Sequence, residues 1–108
     1  MVFYEVSVEV RADLVSAFEQ YMRDKHLPEI MATGCFVAIR FDQATESLYR
    51  TCYQAETQED YERYLSEHAA DMRFDFMQHF PEGCTPSRLV FHDLFTLKRV
   101  EQTEEKFF

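Results

Sequence analysis

The chain has 108 residues, with 20 acidic against 11 basic side chains and a formal charge of −9. That length accommodates one small domain with a single modest core. Two glycines and three prolines exclude a low-complexity or linker-rich chain, and the acidic excess argues against binding nucleic acid or an anionic membrane surface. No uncharged run approaches a membrane span, and the opening MVFYEVSVEVR lacks the pattern of a secretory signal. Cys35, Cys52 and Cys84 are odd in number and form no CxxC pair, which points to reduced thiols in a cytoplasmic protein.

In residues 3–10, Tyr4, Val6, Val8 and Val10 alternate with Glu5, Ser7 and Glu9, which predicts a strand with one apolar face. Asp13 is a suitable N-cap for a helix whose inner stripe is Leu14, Phe18, Tyr21 and Met22. His26-Leu27-Pro28-Glu29 should interrupt that helix, because Pro28 disfavours helical geometry at Leu27. Pro28 then suits the first turn of a short helix over 28–32, closed by Thr33-Gly34. Residues 35–41 read as the second strand, with Cys35, Val37, Ile39 and Phe41 on one face. A polar connection over 42–47 leads into a third strand over 48–55.

Thr57 caps a second long helix, with Glu59 and Asp60 in its first turn and an inner stripe of Tyr61, Tyr64, Leu65, His68, Met72 and Phe76. Phe74 and Met77 fall off this stripe if the helix is continuous; a break at Ala69-Ala70 resets the phase, and both readings stand. Phe80-Pro81-Glu82-Gly83 ends the helix, and a last strand follows over 87–97 with both faces apolar. The domain therefore spans 1–97, followed by a charged tail over 98–108 that ends in Phe107-Phe108.

The order βαββαβ, with two right-handed crossovers, gives an α+β ferredoxin-like fold: a four-stranded antiparallel sheet with both helices on one face. The other face carries Phe3, Phe36 or Val37, Tyr or Cys side chains of the third strand, and an apolar row of the last. An uncovered apolar patch of roughly several hundred Å² is rare on a soluble monomer. The expected cover is an identical sheet, making a homodimeric α/β barrel.

The run His26-Leu27-Pro28-Glu29-Ile30-Met31-Ala32-Thr33-Gly34-Cys35-Phe36 resembles the signature of a bacterial family known only as a domain of unknown function. The resemblance extends from YEVSVEV through Tyr49-Arg50-Thr51, Tyr64-Leu65, Glu67-His68-Ala69 and Phe80-Pro81-Glu82-Gly83, and stops near Leu97. That family is similar to the dimeric α/β-barrel group, which includes cofactor-independent monooxygenases, lactone isomerases and haem-degrading enzymes. The order His, Pro, Gly after the first helix is also similar to proteins associated with ethyl-tert-butyl-ether degradation. The resemblance implies fold and dimerisation but no substrate. The catalytic sets of the characterised enzymes do not carry over, since the chain contains neither Trp nor Asn.

His26 and Glu29, three apart at a helix junction, form the first candidate catalytic pair, with His26 as a base near neutral pH. The competing reading is structural: a His closing one helix and Pro28-Glu29 opening the next. Glu5, Ser7 and Glu9 form the second candidate set, facing an inter-sheet cavity beside Arg40 or Arg50. There the competing reading is an ion-pair network that fixes register. Tyr53 and His92 complete the candidate ligand contacts. His26, His68, His79 and His92 lack the close spacing of a metal site, so neither metal nor cofactor is expected.

These readings converge on a cytoplasmic homodimer that binds a small, partly apolar molecule between its sheets. The alternatives are a cofactor-independent monooxygenase- or isomerase-like enzyme, and a non-catalytic assembly module. A pocket lined by converging polar groups favours the first two, and a core closed by Phe and Tyr the third.

Overall fold

The computed structural model describes residues 1–100. The strands are β1 (Val2–Val10), β2 (Ala38–Gln43), β3 (Leu48–Ala55) and β4 (Cys84–His92). They form one antiparallel sheet in the order β2-β3-β1-β4. The helices are α1 (Val15–Tyr21), α2 (Leu27–Met31), α3 (Gln58–Glu67) and α4 (Ala69–His79). This is the ferredoxin-like α+β arrangement. The charged tail expected over 98–108 lies outside the described residues from 101 onward, Phe107 and Phe108 included.

The β1 alternation is realised: Val2, Tyr4, Val8 and Val10 are buried against the helices, while Glu5 and Ser7 point to the bare face. Two aromatic-rich clusters form the core. Tyr4 stacks with Tyr53 at 5.5 Å and lies 5.4 Å from Tyr61 and 6.3 Å from Tyr64. In the other cluster, fully buried Phe18 is ringed by Tyr49, Phe41, Phe76 and Phe80 at 5.0–6.2 Å. Val6 and Leu27 pack against both.

Four local expectations need correction. Asp13 does not cap the first helix; it lies in a 3-10 turn, Ala12–Leu14, where it binds the Arg11 guanidinium at 2.6 Å. The helix then runs past His26 without interruption, through a π turn over Met22–His26 in which the Leu27 N–H reaches the Met22 carbonyl. The wider turn gives Pro28 room where a regular helix would set its ring against the carbonyl four residues back. The second strand begins at Ala38, not Cys35. Cys35 and Phe36 are buried ahead of it, so their apolar pattern reports packing and not sheet pairing.

The last strand runs Cys84–His92 and not 87–97, because its pairing length is set by β1: Val10 pairs with Cys84 and Val2 with His92. Pro86 is accommodated because β4 is an edge strand. Beyond it, Leu94, Phe95, Leu97 and Val100 are each at least 80% exposed.

Thr57 caps α3 as expected, its hydroxyl accepting from the Asp60 N–H at 3.1 Å. The long helix breaks at His68, whose φ of −128° and ψ of −31° separate α3 from α4. Of the two sequence readings, the break is the one realised, yet Phe74 and Met77 remain largely exposed.

Candidate functional site

Where the two core clusters meet, the helices do not close completely on the sheet. A cavity of about 90 Å³ remains. Its floor is the helix-facing side of β1, β3 and β4, with Tyr4, Val6, Val8, Thr51, Tyr53, Cys84, Pro86 and Arg88. Met22, His26, Tyr64, Met72, Arg73, Phe76 and Met77 form the roof and mouth. The pocket is thus apolar along its body, with a few converging polar groups, as in small-molecule sites generally.

His26 is 9% exposed, stacks on Tyr21 at 5.3 Å and meets the edge of Phe76 at 5.7 Å. Residues five apart in a regular helix point about 140° away from one another; the widened turn lets Tyr21 and His26 share a face. Tyr21 Oη donates to Asp75 Oδ2 at 2.6 Å and lies 3.2 Å from His26 Nδ1. A phenol has one proton, so its oxygen accepts from Nδ1–H. His26 is then the Nδ1–H tautomer, and the Nε2 lone pair is left without a protein partner among the described residues. Lys25 completes the group, 2.9 Å from Asp75 and 3.3 Å from Glu29.

Electrostatics fix the protonation states. Burial lowers the His26 pKa to about 4, opposed by the charges of Asp75 and Glu29, so the imidazole is neutral at pH 7. Burial, then the bond to Asp75, pushes the Tyr21 phenol well above its usual range and keeps its proton in place. The Tyr21 and Lys25 hydrogen bonds hold Asp75 below the usual carboxylate range. Burial raises Tyr53 and Tyr64 as well, partly offset by the Arg88 charge and, for Tyr64, that of Arg73. Cys84 is raised by burial and remains a thiol, which does not suit a nucleophile.

The sequence candidates separate onto different faces. His26 and Tyr53 line the cavity. Glu29 does not join them; it is exposed and engaged with Lys25. Nor does His26 close a helix, since the chain stays helical through it. Glu5, Ser7, Glu9, Arg40 and Arg50 all lie on the helix-free face, across the sheet from the cavity. There Asp42 binds Arg50 at 2.9 Å and Arg40 at 3.1 Å, Arg50 reaches Glu5 at 3.8 Å, and Glu9 accepts from the Ser47 hydroxyl at 3.2 Å. Arg50, then Arg40, hold Asp42 below the usual carboxylate range, the mark of an ion-pair network and not of a base. Phe3, Leu89 and Phe91 make the same face apolar toward one end. His92 is exposed at the end of β4, 3.0 Å from Gln58 Oε1.

Sequence reasoning missed Tyr21, Thr51, Asp75, Arg73 and Arg88 as site residues. Only Tyr21 gave any signal, by its place five residues before His26. Among the described residues no three His, Cys, Asp or Glu side chains cluster as a metal site, and no helix is long and apolar enough to cross a membrane.

Together these features define a ferredoxin-like α+β domain with a helix-side cavity bordered by a neutral histidine. Over residues 1–93 the chain matches the family described as domain of unknown function DUF4286, and it belongs to that family. No curated protein matches it in sequence. Among solved structures it is similar to a candidate antibiotic biosynthesis monooxygenase from Deinococcus radiodurans, with TM-score 0.65 and 10% identity over 94% of this chain and 100% of that one. A protein of unknown function from Nitrosomonas europaea gives 0.62 and 11% over 90% and 94%. A protein from Agrobacterium tumefaciens gives 0.57 and 14% over 85% and 93%. At these identities the likeness concerns the fold.

Proposed function

We propose that this protein is a homodimer in which each copy binds a small, partly apolar molecule in its helix-side cavity, with His26 Nε2 accepting a hydrogen bond from the ligand. The observation that carries the reading is the Asp75–Tyr21–His26 chain: it fixes one tautomer and leaves Nε2 unprotonated and without a protein partner among the described residues, on a histidine that lines a cavity of Val, Met and aromatic side chains together with Arg73 and Arg88. The cavity is on the opposite side of the sheet from the inter-sheet space expected from sequence. Dimerisation is supported by exposed Leu89 and Phe91 beside half-buried Phe3 on the bare face, and by exposed Leu94, Phe95, Leu97 and Val100 beyond β4. The three free cysteines fit a cytoplasmic setting.

Native mass spectrometry of freshly purified protein tests both parts. A dimer mass with a retained small molecule, the latter lost in His26→Phe, is the expected outcome. A bare monomer at micromolar concentration would overturn the reading.

A second reading, proton abstraction in an isomerase-like or monooxygenase-like reaction, is favoured by the same chain. A proton taken up at Nε2 makes an imidazolium whose charge Asp75 stabilises through Tyr21. A substrate turned over by the wild type and untouched by His26→Gln would select this reading.

A further inference from the structure

The chain is strongly acidic, and its arginines are mostly neutralised. Arg11, Arg23, Arg40, Arg50 and Arg63 each have a carboxylate within 4.0 Å. Arg73, Arg88 and Arg99 have none among the described residues, and the first two line the cavity. They approach it from opposite sides. Arg73, on α4, donates to the Tyr4 hydroxyl at 3.1 Å. Arg88, on the edge strand β4, is paired with Val6 of the cavity floor. Tyr4 and Val6 are successive residues on the helix-facing side of β1, so the two arginines border adjacent positions of the cavity floor.

This arrangement is unusual on electrostatic grounds. With acidic side chains so abundant, ion pairing would be the default for a surface arginine, yet the two that line the cavity have no carboxylate partner among the described residues. A guanidinium presents a planar fork of donors that matches a carboxylate, and two of them flanking an apolar pocket recognise an acid with a hydrophobic body. We infer that the ligand of this cavity is a small organic acid, its carboxylate held between Arg73 and Arg88 and its apolar part lying over Val6 and Met72. A second polar atom, if the ligand carries one, is met by His26 Nε2. The inference rests on the cavity being a ligand site, and it adds the chemical class.

The experiment is an amide-shift NMR titration of the full-length protein with benzoate and hexanoate, each beside its neutral amide. The acids are expected to shift resonances at Val6 and Thr51 and to bind about tenfold more tightly than benzamide and hexanamide. Arg88→Gln should weaken acid binding severalfold and amide binding much less, so that the difference between them narrows, while Arg88→Lys should restore part of the difference. The Arg88 side chain makes no hydrogen bond among the described residues, so its substitution should leave the fold intact; Arg73→Gln, which also loses the Tyr4 bond, is read only if its spectrum stays native. Equal binding of acids and amides, or acid binding indifferent to Arg88→Gln, would overturn the inference while sparing the cavity as a ligand site. No shift with any of the four compounds would overturn both.

Discussion

Asp75 and Tyr21, 54 positions apart in sequence, are joined by a hydrogen bond of 2.6 Å that ties α4 to the end of α1. The bond has two effects. It holds the packing of the second core cluster, and it decides which nitrogen of His26 carries the proton. Asp75→Asn or Tyr21→Phe should each cost about 1–2 kcal/mol in chemical denaturation. The double variant should cost less than the sum, because both substitutions remove the same bond. Additive losses would mean that the two residues act independently.

Acid should destabilise the protein earlier than its carboxylates alone require. The folded-state pKa of His26, about 4, is below its unfolded value of 6.5, so the unfolded chain binds the additional proton between those limits. Stability is then fully present above pH 6.5 and falls as the pH drops toward 4, by roughly 3 kcal/mol from this group. His26→Phe should flatten the stability-versus-pH curve across that interval. In Asp75→Asn the His26 titration followed by NMR should move still lower, because the Asp75 charge favours the imidazolium.

Two glycines adopt positive φ, and their replacement should have unequal effects. At Gly34, with φ of +77°, an added Cβ meets nothing within 4 Å. Gly34→Ala should cost only the backbone strain, about 1 kcal/mol. At Gly83, with φ of +87°, the Cβ would come within 2.5 Å of Leu14 Cδ1 and 3.3 Å of Arg11 Cζ. Gly83→Ala must displace Leu14 as well, and should cost about 2 kcal/mol or more. Melting temperatures of the two variants are a direct check.

Leu89→Glu places a charge on the bare face beside Glu5, its partner in the β1–β4 register. Under the proposed dimer this variant should give a monomer mass by light scattering while retaining its circular dichroism spectrum. An unchanged dimer would place the interface elsewhere.

The layout of the sheet was legible in the sequence, because the central strands β1 and β3 have one face packed on helices and so record their alternation directly. The errors share a cause. Cys35 and Phe36 are apolar because they are buried, although they pair with no strand. Leu94, Phe95 and Leu97 continue the apolar pattern of β4 after β1 has run out of partners. Hydrophobicity reports what a residue is hidden from; pairing depends on a second segment that periodicity does not see. The site was harder still. His26 stood out as a titratable residue in a distinctive run, but its partner Asp75 and the flanking Arg73 and Arg88 come from distant elements, and in sequence they look like members of a solvated charged face.

The widened turn over Met22–His26 also predicts where this chain can change length. Removing one residue there would restore a regular helix and rotate everything beyond it by about 100°. The imidazole would swing off the cavity wall, and Pro28 would be forced against a carbonyl. Insertions at residues 44–46 of the β2–β3 loop should be absorbed at little cost, because that part only closes a hairpin, whereas Ser47 also bonds to Glu9 and Val10 of β1. A functional homologue should therefore vary freely in the length of that loop and keep the residue count of its first helix.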